Sequence, residues 1–142
     1  MERFKNWKHP IFDSEGWAHK EMINDYPSGE YGWRCQHHNN LKIGNETDIG
    51  CFSYLNAKFG IDIGDNVQIG SHCSIYSIST IDNKNGGIII GENTVIGTHS
   101  TVMPGVTIGK NTIIGAHSFV NHNIPDNVVA FGVPCEVVKK LE

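Results

Sequence analysis

Three histidines stand at matching places in the chain: Ile69-Gly70-Ser71-His72, Ile96-Gly97-Thr98-His99 and Ile114-Gly115-Ala116-His117 each put an imidazole two residues after a glycine. A neutral imidazole can take the proton that an attacking nucleophile must lose. Three imidazoles can also hold zinc, provided they converge and leave a fourth position open. For that reading the candidates are His99, His117 and His122, the last two five residues apart. A third reading is purely structural, because histidine, like asparagine, is enriched in the left-handed backbone conformation of tight corners. Two asparagines stand outside that set: Asn56, which follows Leu55 at a corner, and Asn83, in an irregular stretch. His37-His38-Asn39-Asn40 reads as a polar entry loop with a lesser claim on substrate.

The element that must position these groups is a repeat. From residue 43 onward an isoleucine followed by glycine recurs on a six-residue period, at Ile43, Ile49, Ile63, Ile69, Ile90, Ile96, Ile108 and Ile114. Leu55, Ile75, Val102 and Val120 complete the sets of three. Two positions before each aliphatic, a small or β-branched residue recurs, such as Thr47, Ser53, Val67, Cys73, Thr94, Ser100, Thr112 or Ser118, with Phe59 and Ile124 as larger exceptions. Residues two apart on a strand share a face, so both point inward. Asn66, Asn93 and Asn111 supply the corners. Three hexads make one triangular coil, and stacked coils pair their strands at about 4.8 Å. The expectation is an all-β fold, a left-handed parallel β-helix of about four coils opening at Ile43, Ile63, Ile90 and Ile108.

Those openings are 20, 27 and 18 residues apart, so two coils carry insertions, and the larger projects as a loop at 79–89. The expected organisation is an N-terminal capping segment at 1–42, a β-helix at 43–132 and a tail at 133–142. All three tryptophans (Trp7, Trp17, Trp33) fall in the first segment, where they suit an apolar cap over the first coil or a wall against an acceptor.

Net charge is −4 with no basic stripe, which points away from nucleic acid. No run reaches membrane-spanning length, and Met1–His9 lacks the apolar core of a signal peptide. Cys35, Cys51, Cys73 and Cys135 have no CxxC spacing and read as reduced thiols of a cytoplasmic protein, with Cys73 interior.

The stretch from Ile90 to Lys140 resembles the hexapeptide-repeat acyltransferases, especially the galactoside and maltose O-acetyltransferases and the sugar N-acetyltransferases. The resemblance lies in Val102-Met103-Pro104-Gly105-Val106-Thr107-Ile108-Gly109, then Ile124-Pro125-Asp126-Asn127-Val128-Val129, then Gly132-Val133-Pro134-Cys135. It implies acetyl-CoA as co-substrate with no metal, a homotrimer, and active sites between neighbouring prisms. Thr98 and Ala116, one coil apart, match family positions that meet the pantetheine arm. Asn121, Lys139 and Lys140 match positions near the nucleotide end, while Glu136 stands where relatives carry a basic residue. Asn56 stands at a corner where relatives place an asparagine against the acceptor, and Asn83 in the inserted loop is the second expected acceptor contact.

The related O-acetyltransferases carry their catalytic base as a histidine in the inserted loop. Here the loop begins Ser77-Ile78-Ser79-Thr80-Ile81-Asp82 and has no histidine. Some sugar N-acetyltransferases instead place one beside a cysteine, similar to His72-Cys73, so His72 becomes the expected base. A sugar amine ionises nearer neutrality than a hydroxyl and depends less on such a base. The expected reaction is therefore acetylation of a nucleotide-linked amino sugar, ahead of a sugar hydroxyl. The competing expectations are a γ-class carbonic anhydrase-like zinc enzyme and a non-catalytic β-helix binding module.

Overall fold

A computed structural model describes residues 32–142. In chain order the strands are β1 (Arg34–Gln36), β2 (Leu41–Ile43), β3 (Asp48–Ile49), β4 (Tyr54–Asn56), β5 (Ile61–Ile63), β6 (Gln68–Ile69), β7 (Ser74–Tyr76) and β8 (Ile88–Ile90). They continue as β9 (Val95–Ile96), β10 (Thr101–Val102), β11 (Thr107–Ile108), β12 (Ile113–Ile114), β13 (Phe119–Val120), β14 (Val128–Phe131) and β15 (Glu136–Lys140). Through β13 every third strand stacks on the same face, and β14 and β15 then extend the third sheet, giving β1-β4-β7-β10-β13, β2-β5-β8-β11 and β3-β6-β9-β12-β14-β15. The result is the expected left-handed parallel β-helix, at about five turns rather than four.

The extra rung comes from both ends. β1 already pairs in register with β4, so the solenoid is under way at Arg34, ahead of the expected opening at Ile43. At the other end Val129 and Ala130 continue the column above Ile113 and Ile114. Within the tail, β15 folds back antiparallel onto β14 and closes the third sheet. Its return is what the repeat could not show, since an antiparallel strand carries no hexad. Trp33 is buried in the core; Trp7 and Trp17 lie outside the described residues. No helix among the described residues is long and apolar enough to cross a membrane.

The core is a set of like-on-like columns. Ile43, Ile63, Ile90 and Ile108 stack on one face, Ile49, Ile69, Ile96 and Ile114 on the next, and Leu55, Ile75, Val102 and Val120 on the last. Each fully buried aliphatic side chain contributes about 1.5–3 kcal/mol. Ile124 belongs to the first column, bridging Ile108. Phe59 is not an interior exception at all: it is 45% exposed, and Ala57 fills the interior place before it.

The small inward residues also tie coils together. Thr47 Oγ1 donates to the Gly64 carbonyl (2.8 Å) and accepts from the Val67 N–H (3.2 Å). Ser53 does the same with Gly70 and Cys73, and Thr94 with Gly109 and Thr112. A hydroxyl at this position thus satisfies backbone groups that the corner leaves buried. Glycine precedes the corners for a steric reason. A Cβ on Gly70 would stand 2.7 Å from the Thr98 nitrogen of the overlying coil.

Candidate active site

Two corners carry the candidate chemistry, one at each end of the β1-β4-β7-β10-β13 face. At the entry corner Phe52, His72, His99 and His117 all have φ between 58° and 64°. Their rings form one stack. The His72 and His99 centroids are 4.6 Å apart and nearly parallel at 4°, and those of His99 and His117 are 4.9 Å apart at 10°. Phe52 caps the other face of His72 at 5.0 Å. These separations are the coil spacing itself, so the column follows from the solenoid. Beside it, Ser71, Thr98 and Ala116 form a second column. Thr98 Oγ1 lies 2.7 Å from the Ser71 carbonyl and 2.9 Å from His99 Nδ1, and Ala116 is exposed on the next coil.

At the exit corner the face ends in a cleft of about 520 Å³. Its floor comes from the residue that follows each inward aliphatic, so Gln36, Asn56 and Tyr76 stack in register. Gln36 and Asn56 are both buried. Gln36 Oε1 accepts from the Tyr54 hydroxyl (2.6 Å) and from Asn56 Nδ2 (3.2 Å), while Asn56 Oδ1 accepts from the Lys58 N–H (3.2 Å). Burial, with Tyr76 and Cys35 nearby, pushes the Tyr54 phenol above its ordinary range, so it stays a hydroxyl donor. Tyr54 and Tyr76 make a tilted aromatic pair with centroids 5.8 Å apart.

The inserted loop forms the cleft's outer wall through Ile78, Ser79, Thr80 and Ile81, and His37, Lys58 and Met103 complete the lining. The loop is a small hairpin rather than a free excursion. Ile78 bridges Asn85, the Ser79 N–H donates to the Lys84 carbonyl (2.8 Å), and the Gly86 N–H donates to the Ser77 carbonyl (2.9 Å). It leaves the coil after Ser77 and rejoins it at Ile88, slightly ahead of the expected 79–89. Asp82 is exposed, and its carboxyl is held below the usual carboxylate range chiefly by a hydrogen bond from Ser79.

Of the expected acceptor contacts, Asn56 sits in this cleft. Asn83 does not: it occupies an exposed left-handed corner at the loop tip. His72 lies at the opposite corner of the same protomer. Four residues of extended chain, about 13 Å, separate it from the cleft floor at Tyr76. Thr98 and Ala116 do stack on successive coils, and Lys139 pairs with Val129 on the sheet that leads to their corner. Lys139 and Lys140 are exposed, whereas Asn121 lies at the exit end of β13, one strand away from Ala116. Sequence reasoning missed Gln36, Tyr54, Lys58 and Tyr76. The signal was available for Gln36 and Tyr76, which are the residues after Cys35 and Ile75 just as Asn56 follows Leu55.

The zinc alternative loses a ligand. His122 places Nε2 2.7 Å from the Cys135 carbonyl and Nδ1 3.1 Å from the Asn123 carbonyl. Two carbonyl acceptors favour two N–H donors and leave no lone pair for a metal. The same contacts, Asn123 first, raise the pKa of His122. Among the described residues no group of three His, Cys, Asp or Glu side chains is arranged to hold a metal.

Residues 87–122 match the bacterial transferase hexapeptide family of six repeats. No curated protein is a significant match. Among solved structures, a maltose O-acetyltransferase from Clostridium difficile 630 is 34% identical with a TM-score of 0.66, over 78% of this chain and 64% of that one. A galactoside acetyltransferase in complex with coenzyme A is 32% identical with a TM-score of 0.70, over 78% of this chain and 59% of that one. A hexapeptide-repeat acetyltransferase from Vibrio cholerae complexed with acetyl-coenzyme A is 27% identical with a TM-score of 0.73, over 76% and 64%. The chain thus spans about three-fifths of the length of these relatives. It is a hexapeptide-repeat β-helix that resembles the sugar acetyltransferases in sequence and in fold.

Proposed function

We propose that the chain transfers an acetyl group from acetyl-CoA to the amino group of an amino sugar, most fittingly one carried on a nucleotide. The observation that supports the amine is that the loop wall of the cleft, Ile78, Ser79, Thr80 and Ile81, carries no histidine, so that His37 across the cleft is the one imidazole among the described residues of its lining, and an amine needs less help from a base than a hydroxyl does. The floor suits a polyhydroxylated ring. Gln36 and Asn56 present amides, Tyr54 a hydroxyl, and Tyr76 an aromatic surface for the apolar face of a sugar. Thr98 and Ala116 would receive the pantetheine arm at the other corner, with Lys139 and Lys140 near its phosphates.

Because the two corners lie at opposite ends of one face, a complete site needs a neighbouring protomer to bring its entry corner to this cleft. That supports a homotrimer with shared sites. The four free cysteines suit a cytoplasmic setting.

The second reading is O-acetylation, favoured by the similarity to the maltose and galactoside enzymes. One assay separates the two: acetyl-CoA turnover on a panel of free and nucleotide-linked amino sugars beside maltose and a simple galactoside. Turnover of the amines, with the neutral sugars slower by at least tenfold, is expected. Efficient acetylation of a neutral sugar with none of any amine overturns the amine reading. Failure to bind coenzyme A at micromolar levels favours the non-catalytic module instead.

A further inference from the structure

We propose that His37 is the general base of the acceptor cleft. The inference rests on the acetyl-transfer reading and adds to it the residue that handles the proton. His37 follows Gln36 directly, on the first rung of the solenoid, and lines the same cleft as Asn56, Lys58 and Tyr76. Its backbone is fixed in the left-handed conformation at φ 59°, and its carbonyl accepts from the Asn40 N–H (3.0 Å). Asn40 Nδ2 in turn donates to the Lys58 carbonyl (3.2 Å), tying this turn to the next coil. The imidazole is therefore presented from a braced corner, unlike a group on a loose terminus.

His37 differs from the three column histidines in its neighbours. The rings of His72 and His99 are covered on both faces by other rings, and the column is at the far end of the strand. The titratable groups that share the cleft with His37 are Tyr54, Lys58 and Tyr76. Tyr54 is held as a neutral phenol by burial. Partial burial, and after it the positive charge of Lys58, lower the pKa of His37. Both effects keep the imidazole unprotonated at neutral pH, which is the form a base needs.

In the step this supports, the sugar nitrogen attacks the thioester carbonyl carbon and a C–N bond forms. The tetrahedral intermediate collapses as the C–S bond breaks. His37 takes the proton that the nitrogen sheds, and the departing thiolate of coenzyme A recovers it, so the imidazole ends neutral. Lys58 disfavours the imidazolium and so speeds that return.

The test uses His37→Asn, because asparagine accepts the left-handed corner and leaves the turn intact. Thermal unfolding of the variant should match the wild type. With acetyl-CoA and the best amino-sugar acceptor, kcat should fall by about 10²–10⁴-fold. Acceptor KM and coenzyme A affinity should stay within about twofold, and added imidazole should restore part of the rate. The acid limb of the wild-type kcat/KM profile carries the acceptor amine and, below about pH 6.5, His37, whose pKa is lowered; the variant should keep the amine's part and lose that of His37. A variant with kcat within threefold of wild type, or one slowed only through acceptor KM, overturns the base assignment alone. A wild-type protein that acetylates no sugar removes the acetyl-transfer reading, and the proposal falls with it.

Discussion

Ser77 links the coil stack to the acceptor cleft, and its removal has a computable consequence. The residue is fully buried at the point where the inserted loop leaves the coil. Its Oγ donates to the Asn56 carbonyl (2.6 Å) and accepts from the Phe59 N–H (3.0 Å). In Ser77→Ala both bonds go, but the two partners fare differently. The Asn56 carbonyl keeps the Ser77 N–H (2.9 Å), so it loses a second bond worth about 0.5–1.5 kcal/mol. The Phe59 N–H loses its acceptor, which costs about 1–3 kcal/mol when the group is dry. Phe59 is partly exposed, so water reaches this corner and the lower end applies. The sum is about 2 kcal/mol, or roughly 6–10 °C in Tm for a domain of this size.

The cost falls on Asn56 and Phe59, which flank Lys58 of the cleft lining, so the cleft floor should loosen while the entry corner does not. Acceptor KM should rise several-fold with coenzyme A affinity unchanged. Equilibrium urea unfolding at one fixed protein concentration, with calorimetric binding beside it, reads both, and the fixed concentration matters if protomers associate. A loss below 0.5 kcal/mol, or equal damage to coenzyme A binding, would refute the reasoning.

Other outcomes follow from the same geometry. Sedimentation at micromolar concentration should give about three times 15.7 kDa, and a clean monomer would remove the shared site. Ala116→Trp places bulk on an exposed corner, so it should abolish coenzyme A binding with Tm within about 2 °C; unchanged affinity would put the arm elsewhere. Under native conditions one thiol per chain, Cys51, should react fast with an aromatic disulfide reagent. Cys35, pushed up to about 12 by burial, and the buried Cys73 and Cys135 should wait for unfolding, and two or more fast thiols would contradict the packing. His122 should titrate above the free-histidine value in proton NMR. Its raised pKa means that its hold on the tail is complete below about pH 6.5 and is lost as pH rises through the raised value. A value at or below that of free histidine would dissolve the link to Cys135.

The fold was readable because a solenoid writes its geometry into the sequence at a constant period. Ile43, Ile63, Ile90 and Ile108 had to stack once the hexad was recognised, and they do. The ends were harder. β1 lacks the isoleucine–glycine pair, and β15 pairs antiparallel, so neither carries the period although both complete the sheets. The hydroxyl struts of Thr47, Ser53 and Thr94 were seen only as small residues, because a sequence shows size while the partner carbonyl lies in another coil.

The candidate site was harder for a related reason. Periodicity drew the eye to His72, His99 and His117, yet in a solenoid a residue type recurring at one corner is first of all an answer to the corner's backbone. The ring separations of 4.6 and 4.9 Å equal the rise between coils, as the solenoid alone requires. Chemistry needs unlike groups side by side, and a perfect repeat brings only like groups together. Unlike groups meet where the repeat breaks, at the rung before its first clear hexad and at the insertion after Ser77. His37 belongs to that first rung, Ser79 and Thr80 to that insertion, and Gln36 and Asn56 lie between them on the same cleft. The same logic orders the experiments. If His72→Ala retains most of its turnover while His37→Asn does not, the break in the pattern rather than the pattern carries the reaction.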